Sequence, residues 1–156
     1  MAIILIILPH NLREAMIKHI QIKLPSHTDY LDVIRDVISK LALDSGFDEE
    51  DVYKISLAVD EACTNVIRHA YGQEEQHFVE VEVEADEAKF TAIVADNGRG
   101  FDPLQIREPD IQDNMARHKF GGFGLYLMKT LMDEVTFSMN PGKRNEVRLT
   151  KYRKEK

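Results

Sequence analysis

At 156 residues, 44% hydrophobic and 30% charged, the chain is expected to form one globular domain with a core large enough to need no staple. Its net charge of −7 argues against the broad positive face that nucleic acids require, so no direct nucleic-acid partner is expected. The single cysteine, Cys63, excludes an intramolecular disulfide and a multi-cysteine zinc site, and suits a reducing, cytoplasmic setting.

Ile3 to Leu8 are consecutive aliphatics closed by Pro9. A spanning helix needs about 20 apolar residues, and this run lacks the flanks of a leader peptide, so no membrane partner is expected. An extra edge strand, a partner-binding arm and a start misassigned upstream of Met16 all stay open. Residues 1–17 are therefore set apart as an extension, and 18–156 as the domain proper. His19 to Leu24 alternates and predicts a strand ended by Pro25. Ser26, Thr28 and Asp29 offer N-caps for an amphipathic helix over 28–44, with Leu31, Ile34, Val37, Ile38 and Leu41 on its apolar face and Gly46 as the stop. Asp48 is the next N-cap, and Phe47 and Val52 are spaced as a hydrophobic staple. Val52, Ile55, Val59, Ala62, Val66 and Ala70 form the stripe of the longest helix, which Gly72 ends.

Val79, Val81 and Val83 alternate with Glu80, Glu82 and Glu84, predicting a strand with one core face and one acidic face. After a turn at Asp86-Glu87, the apolar run Phe90 to Ala95 predicts a central strand ended by Asp96. Residues 103–120 have no clear period, hold Pro103 and Pro109, and are too long for an idle connection, so a functional loop is expected there. Leu125, Met128, Leu131 and Met132 mark a third helix. Val135 to Met139 and Val147 to Tyr152 are strands joined by a turn at Asn140-Pro141-Gly142. About five strands and three helices, with short turns between neighbours, predict an α+β two-layer sandwich: a mostly antiparallel mixed sheet with helices on one face.

Three polar stretches interrupt this pattern. Glu61 and Asn65 are four residues apart, on one helix face at the margin of the buried stripe. A carboxylate there can accept a proton, and an amide oxygen one turn away can ligate Mg²⁺, which prefers oxygens and shares them with phosphates. Asp96-Asn97-Gly98-Arg99-Gly100 sets an acceptor at a strand end, followed by glycines that admit a flat base close to the backbone. Gly121-Gly122-Phe123-Gly124-Leu125 precedes a helix, where exposed N–H groups and the helix dipole favour phosphate. The chain has no G-x-x-x-x-G-K-[ST], and Gly98-x-Gly100 lacks the third glycine of a dinucleotide fingerprint.

In this order the trio resembles the ATP site of the Bergerat-fold superfamily, which includes gyrase, histidine kinases and mismatch-repair ATPases. It is most similar to the stand-alone anti-sigma factor serine/threonine kinases of bacteria. Glu61-Ala62-x-x-Asn65, continued by Arg68-His69-Ala70-Tyr71-Gly72, matches the N box. Asp96 to Asp102 matches the first glycine box, Gly121 to Leu127 the second, and Val147-x-Leu149-Thr150-Lys151 the closing strand. The resemblance covers His19 to Tyr152. It implies ATP and Mg²⁺ as cofactors, Glu61 as the base that activates the attacking hydroxyl, and Asn65 as the Mg²⁺ ligand. It further implies that Asp96, Gly98, Gly100 and Thr150 serve the adenine, that Gly121, Gly122, Gly124 and Leu125 serve the phosphate side, and that 103–120 are the ATP lid. Arg117 and Lys119 are read either as charge for the phosphates or as solvated lid charges, and Arg68 and His69 as facing phosphate or, for His69, as a structural hydrogen-bonding group. The family's Gly-Thr before the last strand is replaced here by Gly142-Lys143-Arg144-Asn145, so no nucleotide contact is assigned to Asn145.

About 60 residues precede the N box and encode one strand and one helix, too little for the dimerisation helices of a histidine kinase. No transducer domain is expected after it. A bare ATP module is thus expected, with its phosphoacceptor on another protein. The resemblance implies a homodimeric kinase that binds a sigma factor and phosphorylates an anti-anti-sigma protein on serine or threonine. An ATP-gated binding module without kinase activity is the alternative, and Glu61 favours the enzyme.

Overall fold

A computed structural model describes residues 4–7, 18–70, 77–100 and 123–154. The elements are β1 (Ile4–Ile7), β2 (Lys18–Pro25), a 3-10 turn (Thr28–Tyr30), α1 (Leu31–Asp44), α2 (Glu49–Asn65) running into a π-helical turn (Val66–Ala70), β3 (Phe78–Ala85), β4 (Lys89–Asp96), α3 (Phe123–Leu131), β5 (Glu134–Ser138) and β6 (Asn145–Tyr152). The strands form one sheet in the order β1-β2-β3-β4-β6-β5. All its pairings are antiparallel among the described residues, so the parallel component of the expected mixed sheet is not found there. The fold is otherwise the expected α+β two-layer sandwich. The N-terminal aliphatic run supplies an extra edge strand, with Ile4 opposite Lys23 and Ile7 opposite Ile20.

Local chemistry accounts for most boundaries. Asp48 caps α2, its carboxylate accepting from the Asp51 N–H at 2.8 Å. Phe47 and Val52 on either side are both buried in the core. Gly46, at φ +86°, ends α1 in the left-handed conformation that side chains resist. The first cap differs from expectation. None of Ser26, Thr28 or Asp29 caps the helical segment; His27 does, accepting from the Asp29 N–H on Nδ1 at 3.3 Å. A short 3-10 turn moves the start of the α-helix itself to Leu31. In the β3–β4 turn, Asp86 accepts from the N–H groups of Ala88 and Lys89 at 2.7 and 2.8 Å, the side-chain-to-backbone pairing that makes Asp a turn residue.

The core lies between the sheet and the helices. Ile22, Leu24, Val79, Val81, Val83, Phe90, Val94 and Leu149 meet Ile34, Ile38, Ile55, Val59, Leu125 and Met128. Phe47 and Phe90 close one end edge to face, with ring centres 6.2 Å apart. β4 is buried along almost its whole length, as its apolar sequence requires of a central strand. The acidic side of β3 is not simply solvated. Arg144 donates to Glu80 at 3.0 Å and Glu82 at 2.8 Å and also to Glu146, while Lys23 pairs with Glu80 at 2.8 Å.

α2 packs against α1, α3, β4 and β6, so its buried face is the centre of the molecule. Ile55 is fully buried there. Ile55→Ala is expected to lower stability by about 2–5 kcal/mol, since little can collapse into the space it leaves. Urea denaturation checks this, and a loss below about 0.5 kcal/mol, the size of an ordinary surface substitution, would contradict the packing described.

Candidate functional site

The three polar stretches converge on one end of α2. The strand-end Asp96, the last turn of α2 and the first turn of α3 surround a cavity of about 420 Å³. Ala62, Val66, Leu125, Met139 and Val147 give it apolar walls; Asn65, His69, Asp96 and Asn145 give it polar groups. That balance suits a flat heterocycle with a few directed hydrogen bonds.

The helix places Glu61 and Asn65 on one face, both partly buried beside the fully buried Ala62 and Cys63. Gly124 sits directly against them. A Cβ added there would lie 2.8 Å from Glu61 Oε2 and 3.3 Å from Asn65 Nδ2. Glycine at this position therefore lets α3 begin beside the carboxylate and amide of α2. Burial pushes the Glu61 carboxyl above its ordinary range, the neighbouring Asp60 adds to this, and Arg68 opposes it. Asp60 itself is bound to Arg35 at 3.0 Å. Burial also raises the Cys63 thiol, which agrees with the small buried hydrophobe expected of it.

The first glycine box is folded tightly on itself. Asp96 Oδ1 accepts from the Gly98 N–H at 2.6 Å and from Asn145 Nδ2 at 3.0 Å. Both hydrogen bonds that Asp96 makes among the described residues fall on Oδ1, which leaves Oδ2 without a partner among those residues. Gly98 is a glycine for a reason other than the expected one. It faces the backbone of Ala70, where an added Cβ would lie 2.3 Å from the carbonyl oxygen. Gly98 is absent from the cavity lining, whereas Gly100, at φ +66°, lines it.

Asn145 is the residue that sequence reasoning passed over. Its side chain is buried and donates to both Asp96 and the Gly98 carbonyl, at 3.0 and 3.1 Å. Its place before the last strand was the available signal, because β6 pairs Asn145 with Asp96 in register. The same register places Thr150, which the resemblance assigns to the adenine. It pairs with Thr91, five residues along β6 from Asn145, or roughly 17 Å at ordinary strand rise. Its hydroxyl lies 3.4 Å from that of Thr91, and Thr150 takes no part in the cavity lining. Arg68 and His69 are both exposed, and of the two only His69 lines the cavity. Arg117, Lys119, Gly121 and Gly122, the lid over 103–120 and the helix stop at Gly72 lie outside the described residues.

The arrangement fits a Mg-nucleotide. Asp96 brings a carboxylate to the cavity lining, and Asn65 brings an amide oxygen to the same lining. Mg²⁺ needs no more from the protein than one or two such oxygens when phosphates supply the rest. No helix among the described residues is long and apolar enough to cross a membrane.

The sequence pattern of the histidine kinase-like ATPase domain matches residues 24–151. The serine-protein kinase RsbW of Bacillus velezensis is 37% identical over 141 residues, 87% of this chain and 86% of the relative. RsbW of Listeria monocytogenes is 35% identical over 142 residues, 88% of each chain. Among solved structures, the RsbU and RsbW domains of a Mycobacterium tuberculosis protein share the fold, with a TM-score of 0.60 at 18% identity over 85% of this chain and 32% of that one. The chain thus belongs to the histidine kinase-like ATPase domain family and, within it, to the RsbW serine-protein kinases.

Proposed function

We propose that the protein is an ATP- and Mg²⁺-dependent serine/threonine kinase that binds a sigma factor and phosphorylates an anti-anti-sigma protein. The observation that supports this reading is the approach of Gly124 to Glu61 and Asn65, which brings a carboxylate, an amide and the first turn of α3 together beside the cavity that Asn65 and Gly124 line. Residues 18–156 act as the kinase domain and 1–17 as its extension. The protein works as a homodimer in the cytoplasm.

Asp96 Oδ2 accepts from the adenine amino group, and the apolar walls hold the ring. The first turn of α3 turns its N–H groups toward the phosphates. Asn65 would hold Mg²⁺ together with the phosphates, and the ion would supply charge neutralisation there. Glu61 takes the proton from the acceptor hydroxyl as that oxygen bonds to the γ-phosphorus and the bond to the β-phosphate oxygen breaks. ADP leaves, and the phosphate stays on the partner's serine or threonine.

Asp96→Asn tests the nucleotide half of the reading. The two donors already on Oδ1 orient the new amide, so its oxygen stays with them and its NH₂ takes the place of Oδ2. A donor then faces the amino group of adenine. ATP affinity is expected to fall by about 10–100-fold, the effect of a buried donor left unpaired, with the fold retained. Calorimetry that finds the same ATP affinity in folded Asp96→Asn would remove Asp96 from the site. Incubation with labelled ATP and the native anti-anti-sigma protein tests the other half. Wild type that binds ATP and partner but transfers no phosphate would be a nucleotide-gated binding module.

A further inference from the structure

Asn145 closes the Gly142-Lys143-Arg144-Asn145 stretch that replaces the family's Gly-Thr, and its amide is constrained from both ends. The Asn140 N–H donates to Oδ1 at 3.1 Å, which fixes Nδ2 as the group that faces Asp96 and the Gly98 carbonyl. The Asn140-Pro141-Gly142 turn is tied to the first glycine box a second time, by the Gly142 N–H donating to the same Gly98 carbonyl at 2.9 Å. Gly100 closes the arrangement. A Cβ on it would lie 2.8 Å from Asn145 Oδ1, so the loop can fold over the amide only with glycine there. Asn145 is 2% exposed and lines the cavity without itself presenting a free donor to it.

An Asp carboxylate is symmetric and can rotate, so presenting one oxygen to a base requires that the other be held. Two donors on Oδ1 do this: Gly98 N–H through a local turn, and Asn145 Nδ2 across the sheet. We infer that Asn145 is a specificity-determining residue which, by holding Oδ1 of Asp96, presents Oδ2 as a fixed acceptor and selects a purine with a 6-amino donor over one with a 6-oxo acceptor. It acts through Asp96 and is a positioning residue. The inference rests on the reading of the cavity as a purine site.

The experiment measures ATP and GTP affinities by calorimetry for wild type, Asn145→Ala and Asn145→Asp, each alone and combined with Asp96→Asn. Asn145→Asp keeps the size and the acceptor for the Asn140 N–H but sets a carboxylate oxygen against Asp96 Oδ1 in place of the donor, so thermal melting of both variants accompanies the affinities. Both single variants are expected to lower the ratio of ATP to GTP affinity by about tenfold, one hydrogen bond's worth of discrimination. In the Asp96→Asn background Asn145→Ala is expected to leave the ratio unaltered, because the carboxylate it positions is gone. A loss of affinity equal for both nucleotides would make Asn145 a structural residue only and overturn the inference. So would an unchanged ratio in both single variants, or an equal drop in both backgrounds. Wild type that takes ATP and GTP equally would instead remove the purine reading of Asp96, and the role of Asn145 with it.

Discussion

Glu61→Gln is expected to lower phosphoryl transfer by about 10²–10⁴-fold, the usual contribution of a positioned general base, with ATP affinity little changed. The side chain keeps its size, so the contact with Gly124 is preserved and α3 stays where it is. Only the ability to take a proton is lost. The raised pKa of Glu61 sharpens the expectation. A carboxyl whose folded pKa lies above its unfolded value binds its proton more tightly in the folded protein. The contribution of Glu61 to folding stability is therefore greatest at low pH and declines as pH rises from the unfolded value through the folded one. At neutral pH the charged, partly buried Glu61 works against the fold, so Glu61→Gln should melt no lower than wild type, and its gain over wild type should grow as pH rises between those values. Inactivity with undiminished stability marks a residue kept for chemistry. Single-turnover transfer to the native acceptor, together with melting curves from pH 4 to 8, checks both halves. Wild-type transfer in the variant would remove Glu61 as the base.

Gly98→Ala is expected to damage both the fold and the site. The new methyl would meet Ala70 O at 2.3 Å and Ala70 Cβ at 2.7 Å, and neither is the loose end of a side chain. Ala70 is buried at the close of α2, and its carbonyl already accepts the Arg99 N–H at 2.9 Å. Relief requires the loop after β4 to lift away from α2. That movement would pull on the Gly98 hydrogen bonds to Asp96, Asn145 and Gly142 together. Overpacking of this kind costs about 1–3 kcal/mol, which lowers the melting temperature by roughly 2–12 °C in a domain of this size. ATP affinity should also fall, by about tenfold, because Asp96 loses the Gly98 donor. Calorimetry and thermal melting measure the two effects. A variant that keeps both wild-type stability and wild-type ATP affinity would show that the loop does not need its contact with Ala70.

Much of the molecule can be read from neighbouring residues alone. The valine–glutamate alternation of β3, the apolar stripe of α2 with its Asp48 cap, and the burial of β4 all follow from side chains within a few positions of one another. So does the shared face of Glu61 and Asn65, since helical spacing fixes it wherever the helix goes. The glycine boxes were equally plain as motifs, but not in what each glycine meets. Gly98 opposes a backbone carbonyl 28 positions earlier in the chain, and Gly124 opposes side chains some 60 positions earlier. The capping by His27 was missed for a local reason: three better N-cap residues surround it, and the 3-10 turn passes them over.

The sequence by itself determined the elements, the α+β class, the family and the acid and amide of α2, because these depend on periodicity and on short motifs. Tertiary structure alone decided which groups share the cavity. The antiparallel register of β4 and β6 carries Asn145 to Asp96 and takes Thr150 to the opposite end of the strand. It was the edge pairing with β2 that made a strand of the N-terminal aliphatics. Register is a property of two segments at once. Hydrophobic alternation specifies it only to within a shift of two residues along the strand, since each such shift keeps the same face buried. The choice among those shifts is made by the packing of the whole sheet against α2, and with it the identity of the residue that holds Asp96.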